Sequence, residues 1–507
     1  MFTLTVKHET YTTAALQIFI PKAVSLNTLF SSLSTLTQCP FYKDYPLKIT
    51  GTPTNQRVVT PAVYFFLLGC MALPFFNDFP LLIKISESFR NLSTPFFSLA
   101  GLFLLFECLL PKQYLKITYP DIYFVLVSII LVWISVLCNI NKSGSVCGVN
   151  ICGAERMMSA GLGISVRLGL LLGFIHLIRT ESMNRISRFI RLGFYLSFLY
   201  VLLELINSYI PYYLGYASPG LLNSVQGYFH LRIGDIAPNR TRGLAFEPSY
   251  QGVFLIICLP FLVADPISGR RLRNIFAWMV CLITSTSLTG LAAASTFFII
   301  YKLKGVKLFM AMVSILIIFA ALSTYFLSSH SNLKLLDIYG TGFVSTITRA
   351  ASWVAGIYAV ANNYVFGVGP GMAGYWVTNY YPGFSALSSE MPAWYHLGRT
   401  TFDAPTFASL LTFILDYGVV PFCIAIAYLF YTGVLQDALR SRIGRASIIA
   451  LLVASLGLDG YEVWGYWLFL AMILSRSWGR LDVLADCVGG VKNIKPKNEY
   501  STVCSTY

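Results

Sequence analysis

Two arginines lie a few residues before a proline that is typical of the first turn of a helix. Arg240 and Arg242 precede Glu247 and Pro248 in the segment 239–250. Pro248 suits the first turn of a helix, because the N–H that proline lacks is not needed there. Glu247 would then cap a helix start that has free N–H groups and partial positive charge, a place where an anionic group could bind. The structural alternative is that Glu247 caps the helix and pairs with an arginine while the others contact lipid headgroups.

A third arginine lies further along the chain. Arg349 falls within 346–361, which predicts an amphipathic helix lying on an outer surface. Gly367 and Gly369 follow and allow a tight loop that approaches its neighbours closely. Their spacing is not that of a dinucleotide-binding fingerprint, and no strand–helix unit surrounds them. A nucleotide site is therefore excluded.

Two of the 11 cysteines are close neighbours in a polar segment. Cys147 and Cys152 enclose Gly-Val-Asn-Ile. An oxidising outer compartment would permit a disulfide there, which would order the loop. A metal site is not expected, because no His or further Cys stands nearby.

The composition identifies the surroundings of these groups. The chain has 507 residues, of which 56% are hydrophobic and 11% charged, against roughly 25% charged in soluble domains. Uncharged stretches such as 308–328 are long enough to cross a bilayer core of about 30 Å. Such long unbroken runs indicate helices rather than barrel strands. Nucleic-acid-binding, secreted disulfide-rich and disordered classes are excluded.

The sequence therefore predicts an all-α polytopic membrane protein with about twelve spans. The predicted spans are 57–77, 94–111, 121–140, 159–178, 188–210, 248–265, 274–287, 288–301, 308–328, 410–434, 446–458 and 462–476. Twelve spans place both termini on one side. The loops on that side carry clusters of Arg and Lys, which accounts for most of the +14 net charge and makes it the cytoplasmic side by the positive-inside rule.

This topology divides the chain into three parts. They are a cytoplasmic N-terminal extension (1–56), a membrane domain (57–476) and a cytoplasmic tail (477–507). Three large loops face outward, at 141–158, 211–247 and 329–409. Long loops without structure are uncommon unless they are functional, so the chemistry is expected on the outer side.

Charged residues within spans need partners, because they are costly in a membrane. Arg167 and Glu204 lie at similar depths on consecutive spans, which predicts a structural ion pair, with a cavity-lining role as the alternative. Glu107 is expected to reach the cytoplasmic interface. His176 and His230 are expected at interfaces without a function.

The order of these motifs resembles the O-antigen polymerase and ligase superfamily of bacterial inner membranes, over roughly 120–476. Four features carry the resemblance: the segment Arg240–Ser249 before a span, Arg349 followed by Trp353 and the Gly367–Gly369 turn, the short spans meeting at Ser285–Gly290, and Leu411–Gly418. The resemblance implies a GT-C-like glycosyltransferase, which moves a glycan from undecaprenyl pyrophosphate to an acceptor at the periplasmic face. It implies neither a metal nor a cofactor.

The resemblance also implies roles for residues. Arg240 and Arg349 would hold the donor pyrophosphate, because Arg presents a fixed fork of donors that matches phosphate oxygens. Arg242, Gly367 and Gly369 would line the substrate site. Holding the leaving-group charge in place would supply much of the catalysis.

The sequence departs from the family at one position. Many relatives have a His just before the span that follows the long loop, where this chain has Thr400-Thr-Phe-Asp403-Ala-Pro-Thr406. Asp403, His396 or Glu247 could act as the base, and the sequence leaves this choice open.

The predicted function is polymerisation of lipid-linked repeat units into O-antigen, capsule or exopolysaccharide. One alternative is an O-antigen ligase that transfers the glycan to lipid A core. An alternative of another class is a transporter or flippase of lipid-linked sugars, which would have charges along a central path and discontinuous helices. Expected partners are membrane lipid, the undecaprenyl-pyrophosphate-linked glycan, a chain-length regulator and a repeat-unit flippase, but no nucleic acid.

Overall fold

A computed structural model gives the architecture of part of the chain. It describes residues 60–75, 91–109, 115–149, 151–210, 214, 241–245, 248–285, 287–302, 341–381, 391–457 and 463–486. Arg240, Glu247, His230 and the predicted span 308–328 lie outside the described residues.

The described residues are predominantly helical, and Cys147 and Cys152 form an isolated antiparallel bridge. The helices are α1 (Pro61–Met71), α2 (Ser93–Leu109), α3 (Tyr119–Asn139), α4 (Gly153–Thr180), α5 (Met183–Glu204), α6 (Pro248–Val263), α7 (Ser268–Ser285), α8 (Leu288–Lys302), α9 (Thr341–Asn362), α10 (Ala373–Val377), α11 (Met391–Thr400), α12 (Ser409–Tyr417), α13 (Val419–Tyr431), α14 (Val434–Arg440), α15 (Arg442–Ser455), α16 (Trp464–Leu474) and α17 (Trp478–Asp486). A π-helical turn, Leu205–Tyr209, continues α5.

Several helices are long and apolar enough to cross a membrane. Three of them, α3, α4 and the helix Met183–Asn207, meet this criterion alone. The pair α12 and α13 meets it together, although its two halves are bent by 112°. Four further apolar helices, α1, α2, α6 and α16, are shorter. Helices occupy the predicted spans that fall within the described residues, but the number twelve stays a prediction.

Helix α6 forms the centre of the bundle. It packs against α5, α7, α8 and α15. Its residues from Val253 to Val263 are buried on all sides and none of them is charged, as expected for a helix that is hydrophobic all round. The helix begins at Pro248, which is where the sequence predicts its first turn.

One end of the bundle is rich in arginines that bind helix ends. Arg179 on α4 forms an ion pair with Asp121 at the start of α3, with 2.5 Å between Nη1 and Oδ2, and donates to the Leu474 carbonyl at the end of α16. Arg480 on α17 donates to the Ile178 carbonyl at 2.7 Å. Loops predicted on the same side of the membrane therefore meet at this end, which we call the arginine-rich end.

The partner predicted for Glu204 is wrong, and Glu107 has a contact that the sequence did not predict. Glu204 pairs with Arg242 rather than with Arg167. Glu107 is buried, and its Oε1 accepts from the Ala62 N–H at the start of α1, 3.3 Å away. The partial positive charge of a helix N-terminus holds this carboxylate inside the bundle.

His176 was also predicted to lie at an interface. It is buried near the arginine-rich end, and its Nδ1 accepts from the backbone N–H of Lys116 at 2.9 Å. This bond ties α4 to the segment that leads into α3, so the histidine has a structural contact.

Candidate functional site

A second hydrophobic cluster lies apart from the core around α6. It joins α9, α10 and α11 to the start of α4 and includes Met157, Ala355, Met372, Phe402 and Leu415. The predicted outer loop 329–409 is therefore a folded unit in its described part. We call the described residues 341–407 the loop assembly.

Arg349 projects from α9 onto an aromatic ring. Its guanidinium carbon lies 5.5 Å from the centre of the Phe407 ring, within the range of a cation–π contact. Trp353 stands one turn further along α9, and its indole N–H donates to the Phe407 carbonyl at 3.0 Å. The helix that carries Arg349 therefore holds both the ring and the backbone of Phe407.

The segment that leads to Phe407 has a strained backbone. Phe402 and Phe407 adopt left-handed conformations, with φ of 64° and 52°. Each such residue costs about 1–3 kcal/mol and persists only where its surroundings hold it. The Tyr381 hydroxyl donates to the Pro405 carbonyl at 2.7 Å between the two strained residues. We call residues 402–407 the strained segment.

Two of the candidate bases lie on or beside the strained segment. Asp403 is exposed, and its Oδ1 lies 2.7 Å from Nη2 of Arg156 at the start of α4. His396 is exposed on α11. Asp403 thus has a cationic partner, which the sequence analysis did not identify.

A further arginine of the loop assembly was missed from the sequence. The Arg399 guanidinium carbon lies 4.5 Å from the Tyr375 ring centre and 5.4 Å from that of Tyr395, and the guanidinium donates to Asn379. Tyr395 and Arg399 are four residues apart on α11, a spacing that brings side chains together. That spacing is the signal that could have identified the pair.

The disulfide segment packs against the end of α11. Cys147 and Cys152 are joined by a disulfide. Between them, the Val149 N–H donates to the Thr400 carbonyl at 3.0 Å. A Cβ on Gly148 would lie 2.2 Å from the same carbonyl oxygen, so only glycine permits this approach. The disulfide therefore orders a hairpin that holds the chain just ahead of Asp403.

The predicted span 410–434 is broken at Gly418. The break bends α12 against α13 by 112°, which leaves backbone groups at both helix ends without intrahelical partners. The residues around the Gly-x-Gly turn satisfy some of them. The Val368 N–H donates to the Leu415 carbonyl at 2.8 Å, and the Gly369 N–H donates to the Asp416 carbonyl at 3.1 Å.

Backbone N–H groups at the start of α13, on the other side of the break, donate to carbonyls of the same loop. The Val419 N–H donates to the Tyr364 carbonyl at 2.7 Å, and the Val420 N–H donates to the Val365 carbonyl at 3.3 Å. The loop 364–369 therefore supplies acceptors to the start of α13 and donors to the end of α12. We call this arrangement the splice.

Two glycines make the splice sterically feasible. Gly367 has a φ of 68°, and a Cβ there would lie 2.4 Å from the Leu415 carbonyl oxygen. Gly418 has a φ of 96°, and its Cβ would lie 2.2 Å from the Val365 carbonyl oxygen. Both positions need a left-handed backbone and close approach, which only glycine combines without strain. Gly367, predicted to line the substrate site, thus packs against the backbone of Leu415 and Asp416.

Polar residues of α3 support the splice. The Ser135 hydroxyl donates to the Phe366 carbonyl at 2.8 Å and to the Asp416 carbonyl at 3.0 Å. The Asn139 side-chain amide donates to the Phe366 carbonyl at 3.2 Å. Thus α3 presents Ser135 and Asn139 to the break.

The arginine that follows Arg240 lies in a buried ion pair. Arg242 and Glu204 are both more than nine-tenths buried, with 3.6 Å between Nε and Oε1. The other carboxylate oxygen accepts from the backbone N–H groups of Arg242 and Gly243, at 3.1 and 2.9 Å. Glu204 therefore fixes the backbone that follows Arg240 as well as the Arg242 side chain.

The same segment meets the turn between α7 and α8. The Thr241 N–H donates to the Thr284 carbonyl at 3.0 Å. In α6, a Cβ on Gly252 would lie 2.6 Å from Oγ of Ser287. Residues in or beside the first and third segments that suggested the family are thus in contact (Thr241 with Thr284, Gly252 with Ser287). The second and fourth segments are in direct contact, through the bonds of Val368 and Gly369 to Leu415 and Asp416.

The described residues contain no group of three or more His, Cys, Asp or Glu side chains that could hold a metal ion. No protein-family model matches the chain, and no curated protein is significantly similar to it.

Proposed function

We propose that the protein is a polysaccharide polymerase of a bacterial inner membrane. It transfers a growing glycan from undecaprenyl pyrophosphate to the distal sugar of a lipid-linked repeat unit. An acceptor hydroxyl attacks the anomeric carbon of the donor, and the bond from that carbon to the pyrophosphate oxygen breaks. The hydroxyl proton passes to a base, and undecaprenyl pyrophosphate leaves with the bonding electrons.

The observation that carries the proposal is the placement of Arg349. Its guanidinium is held over Phe407 beside a strained backbone, within a folded unit of the predicted outer loop. Strained residues cluster at functional sites. A fixed guanidinium is suited to a pyrophosphate leaving group, because charge positioned in advance stabilises the transition state without reorganisation.

The first arginine motif also supports the proposal. The backbone following Arg240 is fixed by Glu204 and leads within a few residues to the start of α6 at Pro248. Arg240 and Glu247 keep their proposed roles, in holding pyrophosphate and in catalysis. In this proposal Asp403 and His396 contact the acceptor.

The break at Gly418 is a feature expected of a transporter as well, but the uncharged buried run of α6 favours an enzyme. A transporter of lipid-linked sugars is expected to have charged residues along a central path. The central helix carries none from Val253 to Val263. This observation is equally compatible with the ligase, which is an enzyme that uses the same donor and a different acceptor.

The proposal includes a location and partners. Both termini are cytoplasmic, the loop assembly faces the periplasm, and a repeat-unit flippase supplies the donor and acceptor. A chain-length regulator limits the product.

A deletion strain that makes lipopolysaccharide tests the proposal and separates it from the ligase. Without a polymerase, single repeat units should still reach lipid A core, so gels should show core with one unit. Without a ligase, long chains should accumulate on undecaprenyl pyrophosphate. Lipid-linked chains of normal length in the deletion strain would overturn the polymerase proposal.

A further inference from the structure

Phe407 is a bulky residue at a backbone position that favours glycine. Its φ of 52° lies in the left-handed region, which residues with a Cβ rarely adopt. An aromatic residue at such a position suggests that its ring has a role that offsets the strain. The contacts of the ring indicate that role.

The ring contacts an arginine and a tryptophan. The Arg349 guanidinium carbon is 5.5 Å from the ring centre. Trp394 of α11 contacts the same ring edge to face, with 5.9 Å between centres and 85° between planes. The Phe407 carbonyl is held by Trp353 on the helix that carries Arg349. The ring therefore cannot shift relative to α9 without breaking these contacts.

We infer that Phe407 is a positioning residue, which fixes the plane of the Arg349 guanidinium for the donor pyrophosphate. This inference rests on the proposed function. The ring restrains the guanidinium by a cation–π contact, with the guanidinium carbon over the ring. The left-handed backbone of Phe407 is the conformation that delivers the ring to this place.

Substitutions at Phe407 separate the ring from the backbone. Phe407→Tyr keeps an aromatic face, Phe407→Leu keeps an apolar side chain without one, and Phe407→Gly relieves the backbone but removes the ring. We expect kcat/KM for polymerisation to be near the wild-type value in Phe407→Tyr. In Phe407→Leu and Phe407→Gly it should fall by about 2- to 30-fold, the range of a cation–π contact. Activity of Phe407→Gly equal to wild type would overturn the inference.

A chemical readout tests the contact without relying on activity. Phenylglyoxal modifies exposed guanidinium groups, and mass spectrometry of the purified protein in detergent can follow the Arg349 peptide. We expect Arg349 to react several-fold faster in Phe407→Leu than in the wild type, and at the wild-type rate in Phe407→Tyr. Wild-type rates in Phe407→Leu would overturn the inference.

Phe402 provides the matched control. It has the same backbone strain, with a φ of 64°, but its ring contacts Tyr375 at 5.7 Å. Phe402→Leu should lower the melting temperature and leave Arg349 reactivity unchanged, so a general loosening of the strained segment is distinguished from loss of the ring. Faster Arg349 modification in Phe402→Leu as well would count against a specific role for Phe407.

The same assay separates the inference from the proposed function. Inorganic pyrophosphate and undecaprenyl pyrophosphate should each protect Arg349 in the wild-type protein if the proposed function is correct. Absence of protection by both would overturn the proposed function, whereas the comparison of the Phe407 variants still decides whether the ring positions the guanidinium.

Discussion

The Glu204 carboxylate holds Arg242 at two places, through the backbone N–H and through the guanidinium, whose Nε lies 3.6 Å from Oε1. Removing one partner would leave a buried charge uncompensated. We therefore expect Glu204→Ala to lower the free energy of unfolding by about 3–5 kcal/mol. Thermal unfolding of the purified protein in detergent measures this loss.

A double-mutant cycle distinguishes the observed pair from the one predicted from sequence. Arg242→Leu should recover part of the stability in the Glu204→Ala background, because neither charge then remains buried alone. Arg167→Leu should show little coupling with Glu204→Ala. Stronger coupling to Arg167 than to Arg242 would contradict the pair in the structure.

Arg349→Lys tests whether the proposed site needs a guanidinium or only a positive charge. A lysine ammonium cannot form two parallel bonds to a phosphate. We expect polymerisation to fall roughly 10- to 100-fold, the equivalent of one charge-assisted hydrogen bond. Gel profiles of surface glycan in a complemented deletion strain show the outcome. Arg185 pairs with Glu181 near the start of α5, and Arg185→Lys is the control that should complement fully. Full complementation by Arg349→Lys would contradict the proposed role.

Alanine at the two glycines of the splice should disrupt it. Gly367→Ala and Gly418→Ala each place a Cβ less than 2.5 Å from a backbone oxygen, in addition to the left-handed strain of about 1–2 kcal/mol. Gly433 is the matched control, because its φ is 74° and its Cβ would meet nothing within 4 Å. Gly433→Ala should lower the melting temperature only by the amount that the left-handed strain costs, and so by less than the other two variants. Equal melting temperatures for the three variants would contradict the close approach.

The disulfide should stabilise the loop assembly. Replacing both Cys147 and Cys152 by serine should cost about 2 kcal/mol for so short a loop. It should also release the hairpin from Thr400, because the Val149 contact depends on the ordered hairpin. A reductant should lower the melting temperature of the wild type and of Cys138→Ser, but not that of the double serine variant. A reductant effect in the double variant would assign the change to other thiols.

A charge exchange tests Asp403. In the structure its carboxylate pairs with Arg156, and an exposed pair of this kind contributes up to about 1 kcal/mol. If pairing is its main role, Asp403→Arg should reduce activity and the added Arg156→Asp should restore most of it. A base must keep its carboxylate at position 403. If the double variant stays inactive and Asp403→Asn is inactive too, Asp403 would instead be assigned to proton transfer. The same gel assay of complemented strains reads both results.

The parts of the fold that follow from short stretches of sequence could be predicted. Apolar run length identified helices such as α3 and α4, and the proline rule identified the start of α6 at Pro248. The Cys147–Cys152 disulfide followed from the spacing and the expected compartment. Each of these depends on the residues themselves or on near neighbours.

The remaining features depend on segments distant in sequence. The partner of Glu204 comes from the segment after a long loop, 38 residues away, and span depth alone selected Arg167 instead. The break at Gly418 was missed because hydropathy does not report which backbone groups have partners. No sequence signal marked Phe407 as left-handed, since a phenylalanine there is contrary to backbone preference.

The splice has a consequence for biogenesis. The half-helix α12 ends in carbonyls that accept from the loop 364–369 and from Ser135 of α3, and unsatisfied backbone groups cost several kcal/mol each in lipid. We therefore expect Ser409–Tyr417 to settle in the membrane only after the preceding loop has been translocated and folded. A chain lacking residues 341–381 should leave a Leu410→Cys thiol reactive to a membrane-impermeant reagent, whereas protection of that thiol would show that the half-helix inserts unaided. The loop assembly would then be a chaperone in cis for the membrane segment that follows it.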